Sequence, residues 1–128
     1  MKDEELIEAA MSARSSCYCP YSSFPVSAAL LADSGRIYTG VNVENASYGL
    51  TICAERVAVG SAICAGEKRF EKLVVVVRGG GSPCGACRQV LNEFSPGLPI
   101  IMVDEMGRVT SQTNLLELFP RAFGPQSL

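Results

Sequence analysis

Leu73-Val74-Val75-Val76-Val77, then Gly79-Gly80-Gly81, then Pro83 and the run Cys84 to Phe94 form the stretch from which the architecture reads. An unbroken β-branched run of this kind suits a strand covered on both faces. The glycines end it, and Val90, Leu91 and Phe94 give the next segment the apolar stripe of a helix that Pro96-Gly97 stops. Working upstream, Thr51 to Ala65 is rich in Ala, Val and Ile and predicts a largely buried helix. Val26 to Ala32 is apolar on both faces, and Asp33-Ser34-Gly35 turns it into a second strand, Arg36 to Val43. Leu6, Ile7, Ala10 and Met11 recur at helical spacing, so a first helix is expected from Asp3 to Ser16. Downstream, Pro99 to Val103 and Arg108 to Gln112 read as strands around an Asp104 to Gly107 turn. Thr113 or Asn114 can cap a last short helix through Phe119. The order α, β, β, α, β, α, β, β, α predicts an α/β fold, a three-layer α-β-α sandwich around a mixed sheet of about five strands, in one domain over residues 1–128.

Composition narrows the function. Charged residues are 19% against 48% hydrophobic, and mean hydropathy is +0.21, more apolar than a small solitary monomer comfortably exposes. Contacts between copies of the chain are therefore expected. A net charge of −2 with no basic block argues against a nucleic-acid polymer as partner. The amino-terminal MKDEELIEAA is charged where a secretory signal needs an apolar run, and the uncharged stretch Ser15 to Ala32 holds Pro20 and Pro25. A cytoplasmic protein with no membrane span is the expectation. The absence of histidine removes Ser-His-Asp and Cys-His catalysis and every His-ligated metal site. Acid–base chemistry near neutral pH then falls to a carboxylate, lysine, tyrosine or thiol.

Two motifs concentrate such groups: Cys53-Ala54-Glu55-Arg56 and Ser82-Pro83-Cys84-Gly85-Ala86-Cys87-Arg88-Gln89, each at an expected helix start. Cys84 and Cys87 share a helix face with Cβ atoms about 5–6 Å apart. Tetrahedral zinc with Zn–S near 2.3 Å asks for sulfurs about 3.8 Å apart, which that spacing allows. The helix-start field favours the thiolate that a metal requires. Cys53 is the best third ligand, because it alone occupies an equivalent position. Cys64 lies roughly 16 Å further along its helix by rise. Cys17 and Cys19 remain open as a fourth ligand. Three thiolates and one open position make a catalytic rather than a closed structural site. Zinc with three thiolates carries −1, and Arg56 can offset that charge by reaching the sulfurs. Glu55 is placed to carry a proton. A redox C-x-x-C pair and a purely structural zinc site are the competing readings, and the first leaves C-A-E-R without a role.

C-A-E-R followed some thirty positions later by P-C-G-x-C-R-Q-V resembles the zinc-dependent cytidine deaminases, in their small, all-cysteine, homotetrameric branch. The similarity extends to Tyr21 to Phe24, Asn42 to Gly49, Pro120 and Ala122-Phe123. Ser27, Phe119 and the glycine-rich turn before Ser82 depart from the pattern. The resemblance implies that Cys53, Cys84 and Cys87 hold one Zn²⁺ per chain and that Glu55 carries a proton from water to the pyrimidine N3 and on to departing ammonia. It implies that Asn42 and Glu44 bind the ribose 3′-hydroxyl, that Ala54 and Glu55 read the base edge, and that Phe24 stacks on the pyrimidine. Ala46, Tyr48 and Phe123 are then presented to a neighbouring subunit in a homotetramer with composite sites. The implied reaction is hydrolytic deamination of cytidine and 2′-deoxycytidine in pyrimidine salvage. A modified cytosine nucleoside, such as a nucleoside antibiotic, is the alternative substrate.

Overall fold

Three acidic residues, Asp3, Glu4 and Glu5, open helix α1 (Asp3–Ala13), where they face the positive end of its dipole. The computed structural model describes residues 3–128. The first helix was expected to reach Ser16; it tightens instead into a 3₁₀ turn over Arg14–Ser16, with Cys17 N–H donating to the Arg14 carbonyl. Strands β1 (Val26–Ala32) and β2 (Ile37–Val41) form the expected hairpin, shorter in its second strand than Arg36 to Val43. Helix α2 (Ala54–Cys64) begins three residues later than the composition suggested. Ile52 is held in an extended bridge to Val43, and Cys53, with φ −70° and ψ 151°, serves as N-cap.

Strand β3 (Phe70–Val77) starts at Phe70 rather than Leu73, because Phe70 pairs with Ala32 and donates its N–H to Ser95 Oγ at 2.9 Å. Helix α3 (Gly85–Phe94), strands β4 (Pro99–Val103) and β5 (Val109–Asn114), and the single turn α4 (Leu115–Leu118) complete the chain. Asn114 caps α4 by accepting from Glu117 N–H. The sheet order is β2-β1-β3-β4-β5, with β3 and β4 parallel and the other neighbours antiparallel. This is the expected mixed five-stranded sheet.

Alternation along the strands sorts the core into two layers. Leu30, Leu73, Val75 and Ile100 face α2, α3 and α4, together with Ala54, Ala58, Ala62, Leu91 and Leu115. Ala29, Leu31, Val74, Val76 and Ile101 face Leu6 and Ala10 of α1. Each fully buried leucine or valine stabilises the fold by about 1.5–3 kcal/mol relative to exposure. Ser27, fully buried on the α1 side, is satisfied by donating to the Ala10 carbonyl at 2.7 Å.

The topology also decides where the helices start. Because β1 runs antiparallel to both of its neighbours, β2 and β3 point the same way, and the chain leaves both at one end of the sheet. The N-termini of α2 and α3 therefore arrive together, beside the carboxyl end of the parallel pair, where open α/β sheets place their ligands. Gly40 sets the depth of α2: a Cβ there would lie 2.1 Å from the Ala54 carbonyl oxygen and 2.5 Å from Ala58 N.

Candidate active site

Cys53 and Cys84 are the N-cap residues of α2 and α3, and Cys87 sits one turn into α3. Neither cap side chain bonds its own helix backbone, so both thiols turn toward each other. The three Sγ atoms lie within 4.8 Å of one another, and Cys53 Sγ is 3.8 Å from Cys84 Sγ. That separation equals the edge of a zinc tetrahedron with Zn–S near 2.3 Å, about 3.8 Å. Among the described residues no other group of three or more Cys, Asp or Glu meets this geometry; Cys17, Cys19 and Cys64 stand apart from it. The donor set and its spacing fit zinc with one coordination position left over.

Arg56 Nη2 donates to Cys53 Sγ at 3.5 Å, the contact that its place in the motif suggested. Hydrogen bonding from Cys87, then from Arg56 and Cys84, lowers the Cys53 thiol to about 5. The Cys87 thiol is pushed up by its interaction with Cys53 and by burial. Glu55, 4% exposed, is raised to about 7, chiefly by burial and further by the Cys53 charge. Its Oε1 is buried without a hydrogen-bond partner. An unpartnered buried carboxyl oxygen costs about 1–3 kcal/mol or more unless something else occupies it.

Glu55 opens onto a cavity of about 250 Å³ lined also by Phe24, Asn42, Ala54, Val75, Val77 and the thiols of Cys53 and Cys84. Val75 and Val77, on the sheet face that carries α2 and α3, give the cavity apolar wall, and Asn42, Thr51 and Ser82 give it polar groups. Asn42 is pinned, accepting from Val26 N–H at 3.2 Å and donating to the Phe24 carbonyl at 2.9 Å. Glu44 lines instead an adjoining cavity of about 200 Å³ with Tyr21, Ser22, Asn45 and Tyr48; Thr51 is common to both. Its Oε1 accepts from Tyr21 and Ser22 N–H and its Oε2 from Ser22 Oγ, and the Ser22 contact first of all lowers its pKa. Ala46, Tyr48 and Phe123 lie exposed on the surface, and neither Ala46 nor Phe123 lines either cavity.

Two residues important to the site carried no role in the sequence reading. Arg88 donates from Nε to the Pro83 carbonyl at 2.8 Å, from Nη1 to the Leu118 carbonyl at 2.6 Å and from Nη2 to Ser82 Oγ at 2.9 Å, fixing the segment that delivers Cys84. Its signal was its position four residues after Cys84 inside the motif. Gly40 had none, since a glycine in a strand does not announce which helix approaches it.

Fold and site together define a mixed-sheet α/β protein that carries a three-thiol cluster able to hold a metal ion, with a buried carboxyl group beside it. The family model for the cytidine and deoxycytidylate deaminase zinc-binding region matches residues 1–102. A cytidine deaminase of Sporosarcina psychrophila is 45% identical over 131 aligned positions, covering 100% of this chain and 96% of that protein. The 1.6 Å crystal structure of cytidine deaminase from Burkholderia pseudomallei is 46% identical and superposes with a TM-score of 0.91 over 96% of this chain and 100% of that one. Cytidine deaminase from Mycobacterium tuberculosis, 40% identical, gives 0.84 over 97% of this chain and 99% of that one. The chain belongs to the cytidine and deoxycytidylate deaminase family of zinc-binding enzymes.

Proposed function

We propose that this protein catalyses the hydrolytic deamination of cytidine and 2′-deoxycytidine to uridine and 2′-deoxyuridine, releasing ammonia. The observation that carries the reading is the unpartnered Glu55 carboxyl beside three thiols, at the edge of a cavity of about 250 Å³. Cys53, Cys84 and Cys87 hold one zinc ion per chain. Bound there, zinc supplies the Lewis acidity that makes water nucleophilic near neutral pH. Glu55 takes a proton from the attacking water and gives it to the pyrimidine N3 as oxygen adds at C4, and then carries the proton of the new C4 hydroxyl to the departing amine as the C4 carbonyl forms, so that one water is consumed and one ammonia leaves. The Ala54 backbone and the Glu55 side chain read the base edge, and Phe24 stacks on the pyrimidine. Asn42 and Glu44 take the ribose 3′-hydroxyl; each lines a cavity, and Thr51 lines both.

The active form is a homotetramer of single-domain chains (1–128) in which Ala46, Tyr48 and Phe123 serve a neighbour's site. Exposure of Tyr48 (74%), Leu50 (66%) and Phe123 (58%) supports it, as apolar surface that another copy would cover. No helix among the described residues is long and apolar enough to cross a membrane, and the proposed place of work is the cytoplasm, in pyrimidine salvage.

Zinc-quantified protein incubated with cytidine should release ammonia, while Glu55→Gln should bind equal zinc and lose at least about 100-fold in rate. A Glu55→Gln protein with near-normal turnover would overturn the proton-transfer role. Silence of the wild type on cytidine, with turnover of a modified cytosine nucleoside, would shift the substrate.

A further inference from the structure

Phe24 is the one aromatic residue in the wall of the zinc-side cavity, and its ring has a cation on it: the Arg78 guanidinium carbon lies 5.1 Å from the ring centroid. Phe24 lines the cavity and Arg78 does not. Arg78 itself is exposed, and among the described residues no carboxylate forms an ion pair with it.

Its backbone is nonetheless tightly held. Gly80 N–H donates to the Val77 carbonyl at 2.8 Å, closing a turn with Arg78 and Gly79 at its corner. Gly79 and Gly80 both have φ +77°, a region that side chains rarely adopt. Glu105 Oε1 accepts from Gly79 N–H at 3.2 Å. A Cβ on Gly80 would fall 2.1 Å from Thr110 Oγ1, so the turn is pressed against β5. The end of β3, the β4–β5 turn and β5 thus converge to hold one arginine over one phenylalanine.

We infer that Arg78 is a positioning residue for the pyrimidine: stacked on one face of Phe24, it fixes the ring so that the other face receives the cytosine base. This rests on the deamination of cytidine proposed above. A cation over an aromatic face is attracted by the ring quadrupole and resists rotation of the ring. Entry of the base completes a stack of guanidinium, phenyl and pyrimidine. The stack is made on binding and persists as C4 reacts, so its loss weakens ground and transition states alike and raises KM with little change in kcat.

The test compares zinc-loaded wild type, Arg78→Met and Arg78→Lys in steady-state deamination of cytidine, with a melting curve for each. The methionine variant, similar in length and without charge, is expected to raise KM about 2- to 5-fold, to keep kcat within about twofold, and to melt with the wild type. The lysine variant should recover most of the lost KM, which a role in turn stability alone does not predict. A methionine variant with wild-type KM, a lysine variant indistinguishable from methionine, or a fall in kcat at constant KM would each overturn the inference while leaving the deaminase reading intact. A wild-type protein that releases no ammonia overturns both.

Discussion

Replacing Gly40 with alanine tests whether the site is positioned by the contact between β2 and α2. The added Cβ would sit 2.1 Å from the Ala54 carbonyl oxygen and 2.5 Å from Ala58 N, both backbone atoms that no side-chain rotation can clear. Ordinary contact distances begin near 3.5 Å, so the start of α2 must retreat by roughly 1 Å or more. Cys53 and Glu55 travel with it, one on each side of Ala54. The Cys53–Cys84 separation of 3.8 Å then no longer matches the zinc tetrahedron. Overpacking of this sort costs about 1–3 kcal/mol, and a 1 Å displacement of a catalytic group costs about 100-fold in rate. Competition for zinc against a chromophoric chelator, thermal melting and ammonia release measure the three consequences. A Gly40→Ala protein with wild-type zinc affinity and a rate within about twofold would refute the reasoning, because it would show that α2 can shift without carrying the site along.

Arg56→Ala removes the cation that donates to Cys53 Sγ at 3.5 Å; activity or zinc affinity should drop about 10- to 100-fold, and an unchanged rate with full zinc would dismiss the charge compensation. Asp104 is held below the usual carboxylate range, first by the Arg108 N–H and also by the Met106 N–H and the Arg108 side chain. A carboxylate with a depressed folded value stabilises above its unfolded pKa of about 3.9 and loses that contribution as pH falls through the lower folded value. With zinc chelated throughout, Asp104→Asn should therefore be less stable than wild type at pH 7, and the gap should shrink on acidification below pH 4; a gap of constant size in urea titrations would contradict this.

Much of this molecule is legible in its sequence because its signals are local. The three-residue spacing of Cys84 and Cys87 fixes a shared helix face before any tertiary contact is known, and the β-branched run of β3 needs no partner to be recognised. The second helix starts later than composition suggests because Ile52 is held extended against Val43, nine residues away, and such a bridge outweighs helix propensity. Phe70, Glu71 and Lys72 fall outside the strand expected from Leu73 for the same kind of reason: two of the three are charged, and it is pairing with β1 and the Ser95 contact that draw them into the sheet. Glu44 could be placed on an extended segment, but not its attachment to Tyr21 and Ser22, which depends on how the loop before β1 folds back. Arg78 over Phe24 joins positions 54 apart with no periodicity to announce it.

Along β1, Leu30 and Leu31 point to opposite sides of one sheet, and along β3, Val74 and Val75 do the same. The helix on one side carries none of the groups assigned to the chemistry, whereas α2 and α3, two of the three helices on the other side, deliver the thiols and Glu55. Inheritance can therefore edit the two sides under different rules. Changes among Leu6, Ala10, Leu31 and Val74 adjust the temperature at which the molecule survives and leave its turnover alone, while a change one residue along the same strand is judged on both counts. The pleat gives a lineage one surface on which to adapt to climate and a second on which its chemistry is kept.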